Sequence, residues 1–496
     1  MNWRALTGRR KLGRSEVSSR TTELCGALTL AAVLVGWQLF VPPIVGLADQ
    51  GDFLRVLGPL GYAPVPRGPE HKYSYLTRKY VKDASYREPP WDQISSEMIP
   101  ARIAISLNNL FGDPKTFDLT IFGFTHAVIF LIALARLLYV TRGLVLYRVV
   151  WVLILLVLTD VGYVAYWNSL YTEAASCLWF LLLLAESIDL CNNERVSIWP
   201  IVRWTAFAVL LIMAKVQYAP LCVPLAAYGM VLAWRAVEPQ TRYAGGGGII
   251  VICLAAAANY YSLLPAPRLM PLYDAVFFGI LPGSPDPKAD LKALGLDPSY
   301  ARYSGTVAWG PGTGVADGAL VRAIQANVGP FELMEFYLKR PERMWQRLRV
   351  LLPSALSLRP EFCGNFERDA GRFPGARSEG VAFWNWFHER CLSRIAYFLL
   401  CELVFVVVGG GLTLLFERES SPVTRRWAEL AICLAACCLT AFCVAAFGDA
   451  WDSVKHEFLF NLLLDTSLVF GIVAALNIGL GCRHVPHLHS AINSHQ

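Results

Sequence analysis

The sequence predicts an all-α integral membrane protein with about ten transmembrane helices and two extracytoplasmic segments carrying short helices. Composition and hydrophobic patterning carry this prediction. Of 496 residues, 55% are hydrophobic and only 17% are charged, where a soluble globular chain has about 25% charged residues. The mean hydropathy is +0.43. Runs such as Leu24–Val45, Val149–Val164 and Ala174–Ala185 are apolar all round, wider than one buried face requires. Fifteen Trp and 20 Tyr suit a protein with two membrane interfaces to line. A soluble globule, a disordered chain and a collagen-like chain are excluded. The formal charge of +6 is small for this length and gives no case for nucleic acid.

Arg4, Arg9, Arg10, Lys11, Arg14 and Arg20 precede the first apolar run. That run, Leu24–Val45, ends in Pro42-Pro43-Ile44-Val45 without a small-residue cleavage site, so it reads as a retained span after a cytoplasmic N-terminus of residues 1–22. Further spans are expected near 119–139, 147–166, 172–190, 201–214, 219–234, 247–264, 394–416, 427–447 and 457–480. The loops then placed inside hold Arg136, Arg142 and Arg148; Arg195 and Arg203; Arg235 and Arg242; and Arg418, Arg425 and Arg426. The short outer loops hold little beyond Lys215 and Lys455, which predicts both chain ends inside. Pro220 and Pro224 leave 201–234 open to two readings, a hairpin of short spans or one broken helix. The basic loop at Arg235–Arg242 favours the hairpin.

The chain accordingly divides into a transmembrane module, 23–264, that includes a first outer segment at 46–118. A second outer segment at 265–393, C-terminal helices at 394–480 and a cytoplasmic tail at 481–496 follow. In the second segment, Phe331, Leu333, Met334, Phe336, Tyr337 and Leu338 lead into Arg340, Arg343, Arg347 and Arg349, with Pro341 inside the run. Such a pattern suits helices lying on the membrane surface. Cys177, Cys433, Cys437, Cys438 and Cys443 fall in apolar spans and read as small hydrophobes. Cys363 and Cys391 lie in the second outer segment, where an oxidising exterior permits a disulfide; two free thiols are the alternative.

Ionisable residues at membrane depth are expensive, so clusters of them at span ends are informative. Four occur: Asp49-Gln50-Gly51-Asp52 through Arg55; Asn168 through Tyr171 and Glu173; Lys215-Val216-Gln217-Tyr218; and Asp449 through Asp452, Lys455, His456 and Glu457. The expected topology puts all four on the outer side. Each also has a plain structural reading. Asp49 or Asp52 could cap the following helix with Gly51 making the turn, and Asn168 could cap the span that begins near 172. Glu173 would then sit favourably against that helix dipole, and Lys215 could snorkel to headgroups. Glu457, Asn461 and Asp465 follow at four-residue steps, one polar stripe that must face a cavity or another helix.

Taken together, the acids Asp49, Asp52 and Glu173 and the cations Arg55, Lys215, Lys455 and His456 surround one outward-facing region. A carboxylate serves as general base towards a hydroxyl, and cations hold and stabilise a departing phosphate. That combination fits group transfer from a phosphate-bearing lipid. Other motifs fail: Trp309-Gly310-Pro311-Gly312-Thr313-Gly314 lacks the lysine and Ser/Thr of a P-loop, and the Gly245–Gly248 run has no strand before it. His484, His487, His489 and His495 read as a polar tail before a metal site.

The pattern resembles the multispanning GT-C class of glycosyltransferases, whose shared mark is an acidic residue soon after the first helix, here Asp49 or Asp52. The stretches Asp49-Gln-Gly-Asp-Phe-Leu-Arg55, Asn168-Ser-Leu-Tyr-Thr-Glu173, Phe336-Tyr-Leu-Lys-Arg-Pro341 and Lys455-His-Glu-Phe-Leu-Phe-Asn461 look like those of bacterial glycan-biosynthesis hexose transferases. The resemblance implies a polyprenyl-phosphate-sugar donor, a glycan or lipid acceptor, contact with membrane lipids and a bacterial cytoplasmic membrane. It implies Asp52 as first choice of base and Asp49 as second. Arg55, Asn168, Tyr171, Glu173, Lys215, Gln217, Tyr218, Asp449, Lys455 and His456 are then candidates for substrate binding. No cofactor is expected; the paired acidic metal motif of oligosaccharyltransferases is lacking, and a divalent metal is left open. A lipid-linked glycan flippase is the alternative function, disfavoured by the lack of visible repeats and by charges that lie at span ends.

Overall fold

The computed structural model describes residues 14–65, 72–83, 85, 94–193, 195–263, 265–416 and 422–482. Arg4, Arg9, Arg10, Lys11, Arg418 and the four tail histidines lie outside the described residues. The protein is about 73% helical with few strands, an all-α multi-pass membrane protein.

The first apolar run forms α1 (Arg14–Phe40). An extramembrane layer follows: β1 (Gly46–Leu47), α2 (Leu54–Leu60), β2 (Tyr62–Val65), β3 (Lys79–Lys82), α3 (Met98–Phe111) and β4 (Thr116–Asp118). Gly61 ends α2 in the left-handed conformation, φ 70°, and β2, β3 and β4 pair as an antiparallel sheet. The bundle resumes with α4 (Leu119–Thr141), capped by Asp118, which accepts from the Thr120 amide at 2.9 Å. The next span is broken: α5 (Tyr147–Leu158) and α6 (Val161–Val164) with its following turn meet at a 53° bend. The bend is a fixed corner, because its freed backbone is satisfied. Gln38 donates to the Thr159 carbonyl at 3.0 Å, and Asp160 accepts from the Gly162 amide at 2.8 Å and the Trp384 amide at 2.7 Å.

Helix α7 (Glu173–Asn192) is central, with 94% of its apolar window buried. It is followed by α8 (Ile198–Ile212), α9 (Cys222–Arg235) and α10 (Pro239–Ser262). Trp204 of α8 lies edge-on to Tyr228 of α9 at 5.8 Å, so 201–234 is a hairpin; a single broken helix would hold these rings far apart. The Gly245–Gly248 run lets α10 approach both partners closely. A Cβ on Gly245 would come within 2.7 Å of the Ala233 Cβ, and one on Gly248 within 2.5 Å of Thr205 Oγ1.

The second extramembrane part comprises α11 (Pro265–Asp274), a π-helical turn Ala275–Ile280, α12 (Pro287–Ala293), α13 (Gly318–Asn327), α14 (Pro330–Lys339), α15 (Pro341–Ala355), β5 (Cys363–Asn365) and α16 (Phe383–Arg390). Tyr273, Phe277, Leu291, Leu320, Ile324 and Phe336 give it a core of its own. The chain closes with α17 (Ala396–Phe416), α18 (Pro422–Gly448), α19 (Ser453–His456) and α20 (Phe458–Cys482). Several contacts join the second part to the rest of the chain. β5 pairs with β1, and Arg347 donates to the carbonyls of Ala446 at 3.0 Å and Ala450 at 3.3 Å.

Several expectations are sharpened. Among the described residues, eight helices are long and apolar enough to cross a membrane, or nine with the bent pair. Ten is reached only by counting α8, whose 15 residues rise about 22 Å against roughly 30 Å of hydrocarbon. The amphipathic run is two helices, broken at Arg340, and its basic residues do not all point outward. Phe331, Met334 and Leu338 of α14 do present an exposed apolar face, but Arg343 and Arg347 of α15 are buried. Arg343 donates to the Ile280 carbonyl at 2.6 Å, closing the end of the π-helical turn. Cys363 and Cys391 are free, with Cys363 buried in the β1–β5 pair.

The arginines expected inside gather at one end of the bundle. Arg148 pairs with Glu23 at 2.6 Å, Arg136 with Glu186 at 2.9 Å and Asp189 at 2.8 Å, and Arg203 with Glu186 at 3.0 Å. Arg235 pairs with Glu429 there.

Candidate functional site

At the other end, four polar stretches far apart in the chain meet. The first is the loop from β1 to α2. Asp49 Oδ1 accepts from the Gly51 amide at 2.6 Å and the Phe53 amide at 3.3 Å, closing a turn in which Gly51 takes φ 121°. The turn leaves Asp52 at the open side, its side chain 22% exposed. Asp52 Oδ1 pairs with Arg55 at 3.1 Å and Oδ2 with Lys455 Nζ at 2.6 Å. Lys455, only 3% exposed, also reaches Asp452 at 2.9 Å and lies 5.4 Å from the Tyr171 ring centre. Gln50 completes the bridge between the first and last stretches, donating to Asp452 at 2.9 Å.

The second stretch supports the first from below. The Tyr171 hydroxyl accepts from the Gln50 amide at 3.0 Å, and its ring meets Phe53 edge-on at 4.8 Å. Glu173, in the first turn of α7, holds Lys215 of the third stretch at 2.7 Å, both buried. Gln217 donates to the His456 carbonyl at 2.9 Å, tying the third stretch to the fourth. Asn168 is fully buried and donates to the Leu39 and Val45 carbonyls, each at 2.9 Å. It therefore pins the turn between α1 and β1; it does not cap α7, whose N-cap residue is Thr172. Tyr218 is likewise buried. In the fourth stretch Asp449 turns back, accepting from the Trp451 amide at 3.1 Å and lying 3.5 Å from His456 Nδ1.

Two groups escaped the sequence reading, and Asp452, seen in the fourth cluster, was not chosen for the site. Asp452 is the acid of the fourth stretch that joins Lys455 and Gln50, and its i,i+3 spacing to Lys455 was the available signal. Tyr73 follows a charged, proline-rich stretch with nothing to mark it; its amide donates to the Asp49 carbonyl at 3.1 Å. Glu97 and His126 form a buried pair at 2.8 Å. The second Glu97 oxygen accepts from the Ala175 amide at 2.8 Å, an anion at the positive end of α7.

Electrostatics separate the two loop acids. Burial alone would push Asp52 up, but the charges of Arg55 and Lys455 outweigh it and hold its carboxyl well below the usual range. Burial raises Asp49 despite its two backbone donors. Lys455 is stabilised as a cation: burial opposes this, and Asp52 and Asp452 overcome it. Burial, then the nearby Asp274 charge, pushes Asp449 up to about 7. His456 is held neutral at pH 7, first by burial and then by the Lys215 and Lys455 charges.

The arrangement thus offers an ionised, partly exposed carboxylate beside two cations, Arg55 and Lys455, with a third basic group, Lys215, paired to Glu173. Such a set can accept a proton from a hydroxyl and bind an anionic ester. Among the described residues no group of three His, Cys, Asp or Glu side chains is placed to hold a metal ion. A cavity of about 390 Å³ opens elsewhere, between α7, α17, α18 and α20, and is lined by apolar groups apart from Glu402 and Ser467. Chemistry follows the polar groups and not this volume.

No curated protein and no solved structure gives a significant match to the chain. A family profile described as the YfdI N-terminal transmembrane domain matches residues 11–487, which take in every helix and all four polar stretches. The chain belongs to the YfdI N-terminal transmembrane domain family, as a multi-pass membrane protein.

Proposed function

We propose that the protein is a GT-C type hexosyltransferase that moves a hexose from a polyprenyl-phosphate donor to a glycan or lipid acceptor at the outer face of a bacterial cytoplasmic membrane. The family match is compatible with a membrane glycosyltransferase. The observation that carries the reading is the Asp52 carboxylate, partly exposed at a bundle end and held ionised by Arg55 and Lys455.

In this reaction the acceptor oxygen bonds to the anomeric carbon and its proton passes to Asp52. The bond from that carbon to the phosphate oxygen breaks, and polyprenyl phosphate leaves with the electron pair. One displacement inverts the configuration. A carboxylate of such low pKa is a weak base while its cations hold it. The donor phosphate competes for Arg55 and Lys455, so its arrival restores basicity to Asp52. Lys215 adds positive charge, with Glu173 holding it, and Tyr171 holds the loop. The bland alternative for each residue, a cap or a snorkelling lysine, accounts for Asp49 and not for the Asp52–Lys455–Asp452 chain.

The test is reconstitution of the purified protein in vesicles with a panel of polyprenyl-phosphate hexoses labelled in the sugar, plus an envelope lipid and glycan extract as acceptor. Label should move into a new product while unglycosylated polyprenyl phosphate accumulates. Movement of intact lipid-linked sugar across the bilayer with no bond broken would instead establish the flippase.

A further inference from the structure

Two residues beside the Asp52 cluster hold backbone conformations that non-glycine residues rarely adopt. Among the described residues only Tyr73 (φ 62°), Val381 (φ 52°) and Asp452 (φ 55°) do so. For tyrosine this is a genuine outlier. Strain of this kind persists where the surroundings enforce it, and it concentrates at binding and catalytic sites. Both Tyr73 and Asp452 are anchored to the first loop from opposite sides. The Tyr73 amide donates to the Asp49 carbonyl at 3.1 Å, and its ring meets Phe362 edge-on at 5.9 Å, which in turn lies 5.7 Å from Tyr171. Asp452 accepts from Gln50 and Lys455 through one oxygen, Oδ2, each at 2.9 Å. Its Oδ1 accepts no hydrogen bond among the described residues, and neither does the Tyr73 hydroxyl make one. Tyr73 is half exposed, at 52%, the Asp452 side chain is 15% exposed, and both residues bond to the same Asp49–Gln50 turn. Burial and then the Asp452 charge raise the Tyr73 phenol.

We infer that Tyr73 and Asp452 form the subsite for the hexose ring of the donor, the Tyr73 ring covering a face of the sugar and Asp452 Oδ1 accepting from a ring hydroxyl. The inference rests on the transferase reading above. It takes its position from Lys455, which lies between Asp52 and Asp452. A phosphate drawn to that lysine places the attached sugar within reach of both residues. An aromatic face with an acidic acceptor at its edge suits a polyhydroxylated ring, since each C–H face meets carbon and each hydroxyl finds an acceptor. A membrane-interface anchor would need the ring alone and gives no account of Asp452.

The experiment compares equilibrium binding of two probes, bare polyprenyl phosphate and its glucosyl, galactosyl or mannosyl ester, to the purified protein in detergent. Wild type should bind one sugar ester at least tenfold more tightly than the bare lipid. Tyr73→Ala, Tyr73→Gly and Asp452→Gly, the last removing the acceptor at a φ of 55° that glycine tolerates, should each lose most of that preference without losing affinity for bare polyprenyl phosphate. Tyr73→Gly relieves the φ 62° strain, so its thermal midpoint should equal or exceed that of wild type, which separates lost recognition from lost folding. Equal binding of both probes by wild type, a preference retained by the variants, or parallel loss for both probes would overturn the subsite. If wild type prefers a sugar ester yet transfers it to no acceptor, the transferase reading fails and the subsite stands.

Discussion

Asp49 and Asp52 are three residues apart in the chain and differ in what their oxygens do. Asp49 Oδ1 is occupied by two backbone amides, a bond an asparagine side-chain oxygen can also accept. Asp49→Asn should therefore leave the loop and the rate nearly intact, whereas Asp49→Ala should lower stability by about 1 kcal/mol for the lost turn. Asp449 makes a separate prediction. Its folded value of about 7 lies above the roughly 3.9 of an unfolded aspartate, so the fold favours the protonated form. Its stabilising contribution is fully present below pH ~4 and is lost as pH rises through 7. Asp52 runs the other way: its folded pKa is depressed, and its contribution is present above pH ~4 and fades only on strong acidification. The thermal midpoint in detergent, followed from pH 5 to pH 8, should fall for wild type and fall less for Asp449→Asn. An unchanged slope in that variant would remove the assignment.

The elements show which parts of this arrangement a sequence displays. The Glu457–Asn461–Asp465 stripe was legible from its four-residue spacing on an apolar helix. Its partners were not. Asn461 donates to the Ala355 carbonyl at 3.0 Å, and Asp465 takes His388 at 2.6 Å together with Tyr163 and Trp384, each at 2.6 Å. Tyr163 lies 302 residues away in the chain, and no local pattern encodes such a pairing. Because Asp465 satisfies three buried donors, Asp465→Ala should cost about 3–5 kcal/mol, measured as lost folded fraction on denaturant titration in detergent. The glycines of α10 make a second element-scale prediction. Gly248 faces Thr205 too closely for any Cβ, so Gly248→Leu should destabilise by roughly 1–3 kcal/mol through overpacking. Gly247, which meets nothing within 4 Å, should tolerate alanine. Equal effects at both positions would contradict the close packing of α8 on α10.

For the whole molecule, hydropathy and charge placed the spans and gathered the arginines at one end, because lipid solvation acts on each helix separately. Residues 216–235 and 239–262 were thus readable as two spans, and the α8–α9 hairpin followed from the basic loop. The bend at Asp160 was not readable, since it depends on side chains reaching backbone from elsewhere, Gln38 to Thr159 and Asp160 to Trp384, whereas the short span and the proline at 341 that begins α15 were visible in the chain. The four polar stretches were legible as clusters, and their convergence followed from span counting. Their division of labour was not, which is why Asp449 was picked where Asp452 makes the contact, and why Asn168 was given to substrate. With the basic end inside, as the excess of positive charge predicts, all four stretches face outward. Single cysteines at 170, 217 and 452 should react together with an impermeant maleimide from outside, and a cysteine at 242 should not.

The most direct measurement is the initial rate of sugar transfer in vesicles by wild type, Asp52→Asn and Asp49→Asn at matched protein levels. Loss of a general base is worth roughly 10²–10⁴ in rate. A drop of at least that lower figure is expected for Asp52→Asn, and a rate near wild type for Asp49→Asn. Wild-type transfer by Asp52→Asn would contradict the role of Asp52 as base.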